Sequence, residues 1–238
     1  MTTQKLPGSD AARHGTGDAD LTIMIAAHDA FRRDLVSLAR AVSAADLSDP
    51  AKAQSVAAGW TVFKRQLHLH HTAEDELIWP ALRERLANSE NALSVLDAME
   101  EEHGQIDPLL AAVDDAFSRS ADSLGGPDSH GGPNSHGGPD SLGDRVNALV
   151  TTITGHLTHE EQDGLPLIGM ALTGAEWRSV GFRIARKNGL SGGSEMFAWM
   201  LDGAAPDRAR ETLGTLPPPA RVLYRAVWRP RFTKVSRW

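Results

Sequence analysis

Six side chains combine type and spacing in a way that could do chemistry: His28, His70, Glu74, His103, His156 and Glu160. Each interrupts an apolar stripe. His28 continues Leu21, Met24, Phe31, Leu35, Leu38 and Val42 at alternating steps of three and four. His70 and Glu74 continue Val56, Trp60, Phe63 and Leu67, and Leu77 follows. His103 sits within Leu96, Met99, Ile106, Leu110, Val113 and Phe117, and His156 and Glu160 extend Val146, Leu149 and Ile153. That periodicity predicts four amphipathic helices with the ionisable groups on the buried faces. Each His-xxx-Glu pair lies one turn apart on one face.

The order is His, His-xxx-Glu, His, His-xxx-Glu, so the second half repeats the first. The repeat extends further. Each glutamate is followed by an acid, Asp75 or Glu161, and by a proline six residues on, Pro80 or Pro166. Unpaired carboxylates are costly to bury, and ordinary cores do not collect two glutamates and four histidines. A pair of cations satisfies them all. Imidazole nitrogen and carboxylate oxygen suit iron, manganese and zinc.

The stretches His28-Asp29-Ala30-Phe31-Arg32, His70-His71-Thr72-Ala73-Glu74-Asp75-Glu76-Leu77-Ile78-Trp79-Pro80, Glu101-Glu102-His103 and His156-Leu157-Thr158-His159-Glu160-Glu161 resemble the hemerythrin-like, or HHE, cation-binding domain. The resemblance spans about residues 20–170. It implies an all-α, up-down four-helix bundle around two iron ions per chain, bridged by an oxo or hydroxo group. His28, His70, His103 and His156 would be terminal ligands, and Glu74 and Glu160 bridging carboxylates. Manganese and zinc accept the same donors.

The chain departs from the oxygen-carrying members, which use five histidines with a His-xxx-His on the third helix. Here Asp107 stands four residues after His103. Four histidines, two bridging carboxylates and one bridging oxygen leave about two of roughly twelve positions on two six-coordinate irons. The implied function is binding of, or reaction with, a small oxidant (hydrogen peroxide, dioxygen or nitric oxide) in detoxification or sensing. One alternative is a di-iron oxidase or oxygenase. It requires a ligand-sized, partly apolar cavity for an organic substrate beneath the C-terminal segment. Another is a non-catalytic iron store or sensor. Glu102, Asp107 and Asp163 are candidate extra ligands or acceptors that orient the imidazoles. His71 and His159 are candidate extra ligands or groups just behind the ligands, with a solvent-facing or outer place the favoured reading for His71, and His68 lies beside them.

The remaining composition narrows the classes. The chain has no cysteine, so disulfides and thiolate metal sites are excluded, which fits a cytoplasmic protein. No apolar run approaches the roughly 20 residues of a membrane span. A net charge of −7 argues against nucleic acid as a partner. Residues 1–19 are read as a disordered leader and 20–170 as the bundle. The Gly/Pro-rich stretch 120–143, with His130 and His136, reads as a linker between helices three and four. Pro80 and Pro166 are expected to end or kink their helices, and Pro108 to kink the third. Residues 171–238 are read as a helical extension with pieces over 176–187, 194–202, 206–213 and 218–228. Trp177, Trp199 and Trp228 are expected to dock it on the bundle, and Tyr224 to pack. Six basic residues without an acid in the last 27 suggest self-docking against an acidic bundle.

Overall fold

The computed structural model describes residues 19–44, 47, 49–125 and 141–238, with side chains left aside at 44 and 120–125. The leader 1–18, most of the glycine-rich stretch, and His130 and His136 within it lie outside the described residues. The bundle consists of α1 (Thr22–Ala44), α2 (Pro50–Ala73) continued by α3 (Trp79–Arg85), α4 (Glu90–Gly125), and α5 (Leu142–His159) continued by α6 (Leu165–Ala171). Helix thus reaches further into the stretch 120–143 than its composition suggests. The starts carry the expected chemistry. Asp20 accepts from the Thr22 amide, Asp49 from Ala51 with Pro50 in the first turn, and Ser141 from Asp144.

Pro80 and Pro166 do not end their helices. A proline in an α-helix loses one hydrogen bond and presses its ring on the carbonyl four residues back. The chain relieves this by widening one turn ahead of each proline. The Trp79 amide donates to the Glu74 carbonyl, five residues back, and the Leu165 amide to Glu160. Each π turn begins at a seam glutamate (Glu74–Ile78 and Glu160–Gly164). Such turns concentrate at functional sites. Pro108 sits inside an α4 that stays continuous from Glu90 to Gly125.

The apolar core is split in two. One cluster joins Phe31, Leu35, Trp60, Phe63, Leu67, Ile106, Val113, Leu149, Ile153 and Leu157. The other joins Leu21, Met24, Ile78, Trp79, Leu82, Leu96, Met99, Leu165 and Ile168. His70 and His103 fall in sequence between residues of the two clusters, and His28 and His156 lie within three residues of the point where one cluster's residues stop, so the polar groups form a layer with dry packing at both ends.

Residues beyond the bundle form α7 (Gly174–Leu201), α8 (Pro206–Thr215), and α9 (Pro218–Leu223) with α10 (Arg229–Thr233). Two of the expected pieces merge into α7, which is interrupted at Gly189, where φ is +65°. A third π turn, Tyr224–Trp228, again precedes a proline, Pro230. Thr173 and Glu176 form a capping box at the start of α7. Early in α7, Val180, Trp177 and Ile184 pack on the second core cluster. At its end, Ala198, Trp199 and Met200 belong to the first. One helix therefore spans both halves of the core. Trp177 Nε1 donates to the Asp20 carbonyl, Trp228 packs at the edge of the first cluster, and Tyr224 is buried. Among the described residues no helix is long and apolar enough to cross a membrane.

Asp34 on α1 is the polar anchor of this docking. It is buried and accepts from Trp199 Nε1 at 2.7 Å and from Arg33. Burial raises its carboxyl above the usual range, and Arg33 and Trp199 offset only part of that rise. Asp34→Ala leaves the Trp199 N–H unpaired in the core, so a loss of about 1–3 kcal/mol is expected in urea denaturation. An unchanged midpoint would show that this bond carries no weight.

Candidate metal centre

The helices bring all six seam residues into the polar layer. His28 Nε2 lies 3.2 Å from His70 Nε2 and 3.1 Å from Glu160 Oε2. His70 Nε2 lies 3.1 Å from Glu74 Oε1, and His103 Nε2 lies 3.5 Å from Glu74 Oε2. The two oxygens of Glu74 therefore face two different histidines on two different helices. Glu160 Oε2 reaches from His28 towards His156 Nε2, 4.0 Å away. The donors fall into two groups, each within 4.8 Å internally: His28, His70, Glu74 and Glu160; and His71, His103 and His156.

The layer is closed off from solvent. Both glutamate side chains and His28 are 0% exposed, and His156 is buried almost as fully. All four glutamate oxygens, and Nε2 of His71, His103 and His156, are buried without a hydrogen-bond partner among the described residues. Seven orphaned atoms in one layer would be a heavy penalty for a folded chain. Cations accepted from these atoms remove it. Ligands held about 2.1 Å from one ion sit about 3 Å apart in neighbouring positions. The closest donor pairs match that spacing, so the residues fit a metal.

The electrostatics agree. Burial and the neighbouring imidazoles push His70 and His71 well below their ordinary pKa. These rings are neutral at pH 7 and offer lone pairs. Burial, with Glu160 and Asp75 beside it, pushes Glu74 well above the carboxylate range. For Glu160 burial acts in the same direction, but His28 outweighs it and holds the carboxyl low. Burial also opposes a charge on His28, yet Glu160 and Glu161 hold its imidazole up at about 9. Of the two buried acids, Glu160 thus has a cationic neighbour, whereas burial and two acids govern Glu74, an imbalance that bound cations resolve.

Carboxylates outside the layer orient the rings. His28 Nδ1 donates to Glu161 Oε1 at 2.8 Å, and Arg32 holds the same oxygen at 2.6 Å. His103 Nδ1 donates to Asp75 at 2.9 Å. His156 Nδ1 donates to Glu102 at 2.8 Å, and His159 Nδ1 donates to the other Glu102 oxygen at 2.7 Å. For His28, His103 and His156 the bond at Nδ1 leaves Nε2 facing the layer. Glu102 therefore lies behind His156 as an acceptor. Asp107 is exposed and belongs to neither donor group. Asp163 is exposed, lies 3.6 Å from His159 and belongs to neither donor group. His68 is exposed, whereas His71 is buried.

Asp75 and Glu161 were not among the residues picked out by spacing for a role at the site. Their signal was the acid that follows each seam glutamate. They act in a crossed fashion: Asp75 on the second helix's π turn orients His103 on α4, and Glu161 on the fourth helix's turn orients His28 on α1. Replacing Glu102, Asp75 or Glu161 by its amide is expected to weaken metal binding about 10–100-fold in chelator competition. Unchanged affinity in all three would deny them that role.

Comparisons with curated proteins and with solved structures each give no significant match. A family model does match, the hemerythrin HHE cation-binding domain, over residues 19–168. That range contains every donor of the polar layer, and the chain belongs to the hemerythrin HHE family.

Proposed function

We propose that the polar layer holds two iron ions and that the protein binds or reacts with a small oxidant: hydrogen peroxide, dioxygen or nitric oxide. The observation that carries this reading is Glu74. Its two oxygens face separate histidine groups, as a carboxylate shared by two neighbouring ions requires. Iron, when bound, supplies the redox chemistry and polarises the oxidant. The chain's own contributions are position, dryness and proton control. The imidazoles are aimed inward by Glu161, Asp75 and Glu102. The two core clusters exclude water from above and below.

Size selects the substrate class. The edges of the layer are nearly sealed, with His70 and His71 each 9% exposed and His103 7%. Prominent surface grooves lie along the start of α2 and the C-terminal residues, lined by Ser37, Arg40 and Trp238 in one case and Arg65, Glu195 and Arg237 in the other. Neither is lined by a residue of the layer. This favours a molecule of two to four atoms over an organic substrate beneath the extension.

The test is metal analysis and an absorption spectrum of aerobically purified protein, before and after peroxide. About two irons per chain, with near-ultraviolet bands that respond to peroxide, are expected. Iron that is inert to peroxide, dioxygen and nitric oxide would turn the reading towards storage. A colourless zinc protein would remove the redox function.

A further inference from the structure

The repeat that builds the layer is broken at one position. Residue for residue, the second helix matches the fourth: His70 with His156, Glu74 with Glu160, Asp75 with Glu161, Pro80 with Pro166. His71 then matches Leu157, which is 0% exposed and part of the apolar core. The second helix thus carries an imidazole where the fourth carries a core leucine.

That imidazole is not at the surface. His71 is 9% exposed, and its Nε2 is buried with no hydrogen-bond partner among the described residues. Its ring stacks on His103 at 3.9 Å between centroids, with planes 14° apart, and stands edge-on to His156 at 5.4 Å. Nitrogens of His71, His103 and His156 converge within 4.8 Å of one another. Nε2 of all three is an orphan. Adjacent residues on a helix are about 100° apart, so His70 and His71 straddle the seam. His70 turns towards His28 on α1 and His71 towards His103 on α4.

We propose that His71 is a fifth imidazole ligand, sharing one metal position with His103 and His156 while His28 and His70 serve the other. The proposal rests on the two-metal reading above. Three buried nitrogens that face one another without a hydrogen bond to any of them repel as lone pairs or as N–H groups. A cation is the partner that satisfies all three at once. The fifth nitrogen comes from the second helix, next to His70, where oxygen carriers of the family draw it from the third. It lowers the open positions on the metal pair from about two to about one. The two metals then differ, three imidazoles against two, despite the internal repeat.

The test uses the full chain loaded with Fe2+, and with Co2+ as a spectroscopic probe, comparing wild type, His71→Ala and His71→Leu. The leucine variant gives the second helix the residue that the fourth already buries, so folding is retained. Wild type is expected to take up two metals. Both variants should bind one of them at least about 100-fold more weakly in chelator competition, beyond the effect of losing an outer hydrogen-bond partner. The Co2+ absorption should change, and millimolar imidazole should restore affinity and spectrum in His71→Ala. Two metals bound with wild-type affinity in both variants would overturn the proposal and leave the two-metal reading intact. Weakened binding that imidazole does not restore would assign His71 to packing and overturn it as well. A wild-type chain that takes up no metal pair would overturn both.

Discussion

Glu74→Ala combined with Glu160→Ala is expected to reduce bound metal from about two ions per chain to less than one. These carboxylates reach into both histidine groups, with oxygens 3.1–4.0 Å from histidines on all four bundle helices. Without them, each position keeps neutral imidazoles and no negative charge to balance a divalent ion. Elemental analysis after desalting reads the result directly, and unchanged metal content would sink the assignment. A second measurement separates binding from folding. Glu74 is buried with both oxygens unpartnered, and burial, Glu160 and Asp75 all oppose its charge, so the metal-free wild type bears a desolvation cost that Glu74→Gln alone largely removes. In chelator, urea melts of the Gln variant should show stability equal to or above wild type. In excess metal the order should reverse, because only wild type gains binding free energy, about 2.7 kcal/mol at a hundredfold excess over Kd. A single substitution that stabilises the metal-free protein and destabilises the loaded one marks a site kept for its ligand.

The four-helix architecture could be read from the sequence because each seam repeats at three and four residues for several turns, and the histidines share those seams. The six donors were legible for the same reason. Other features depended on tertiary placement. Pro80 and Pro166 look like breakers in one dimension. The structure shows a widened turn starting at the glutamate six residues before each, and Tyr224–Pro230 repeats the spacing. Asp75 and Glu161 stood out as a repeated acid, but their partners lie on other helices, 28 and 133 residues away. His71 could not be placed by phase alone. A residue about 100° off the seam is buried or exposed according to the neighbour it meets, and here it meets His103. Trp177 and Trp199 signalled that the extension docks, but the continuity of α7 was hidden because its pattern is interrupted at Gly189 and its buried residues serve two different clusters.

Trp199→Ala is expected to cost about 3–5 kcal/mol, the range for removing a large aromatic from a core. That is about a fifth or more of the stability of an ordinary domain. Trp199 is 2% exposed and packs on Phe31 with ring centroids 4.8 Å apart. Its loss also strips Asp34 of its indole partner, leaving a buried carboxylate with Arg33 alone. Trp199→Phe keeps most of the volume and loses only the N–H, so about 1–3 kcal/mol is expected there. The consequence reaches the polar layer, because Phe31 lies 5.2 Å from the His70 ring. Trp199 backs Phe31, and Phe31 backs His70. Trp199→Ala should therefore weaken metal binding at the position His70 serves, while Trp199→Phe should leave it near wild type. Melting curves and chelator competition on the two variants read both effects. A Trp199→Ala protein as stable as wild type would mean that α7 is not held through this contact. Lost stability with unchanged metal affinity would make the extension a scaffold that does not reach the ligands. Loss of both ties residues outside the family-matched segment to the metal layer inside it, through one tryptophan and one phenylalanine.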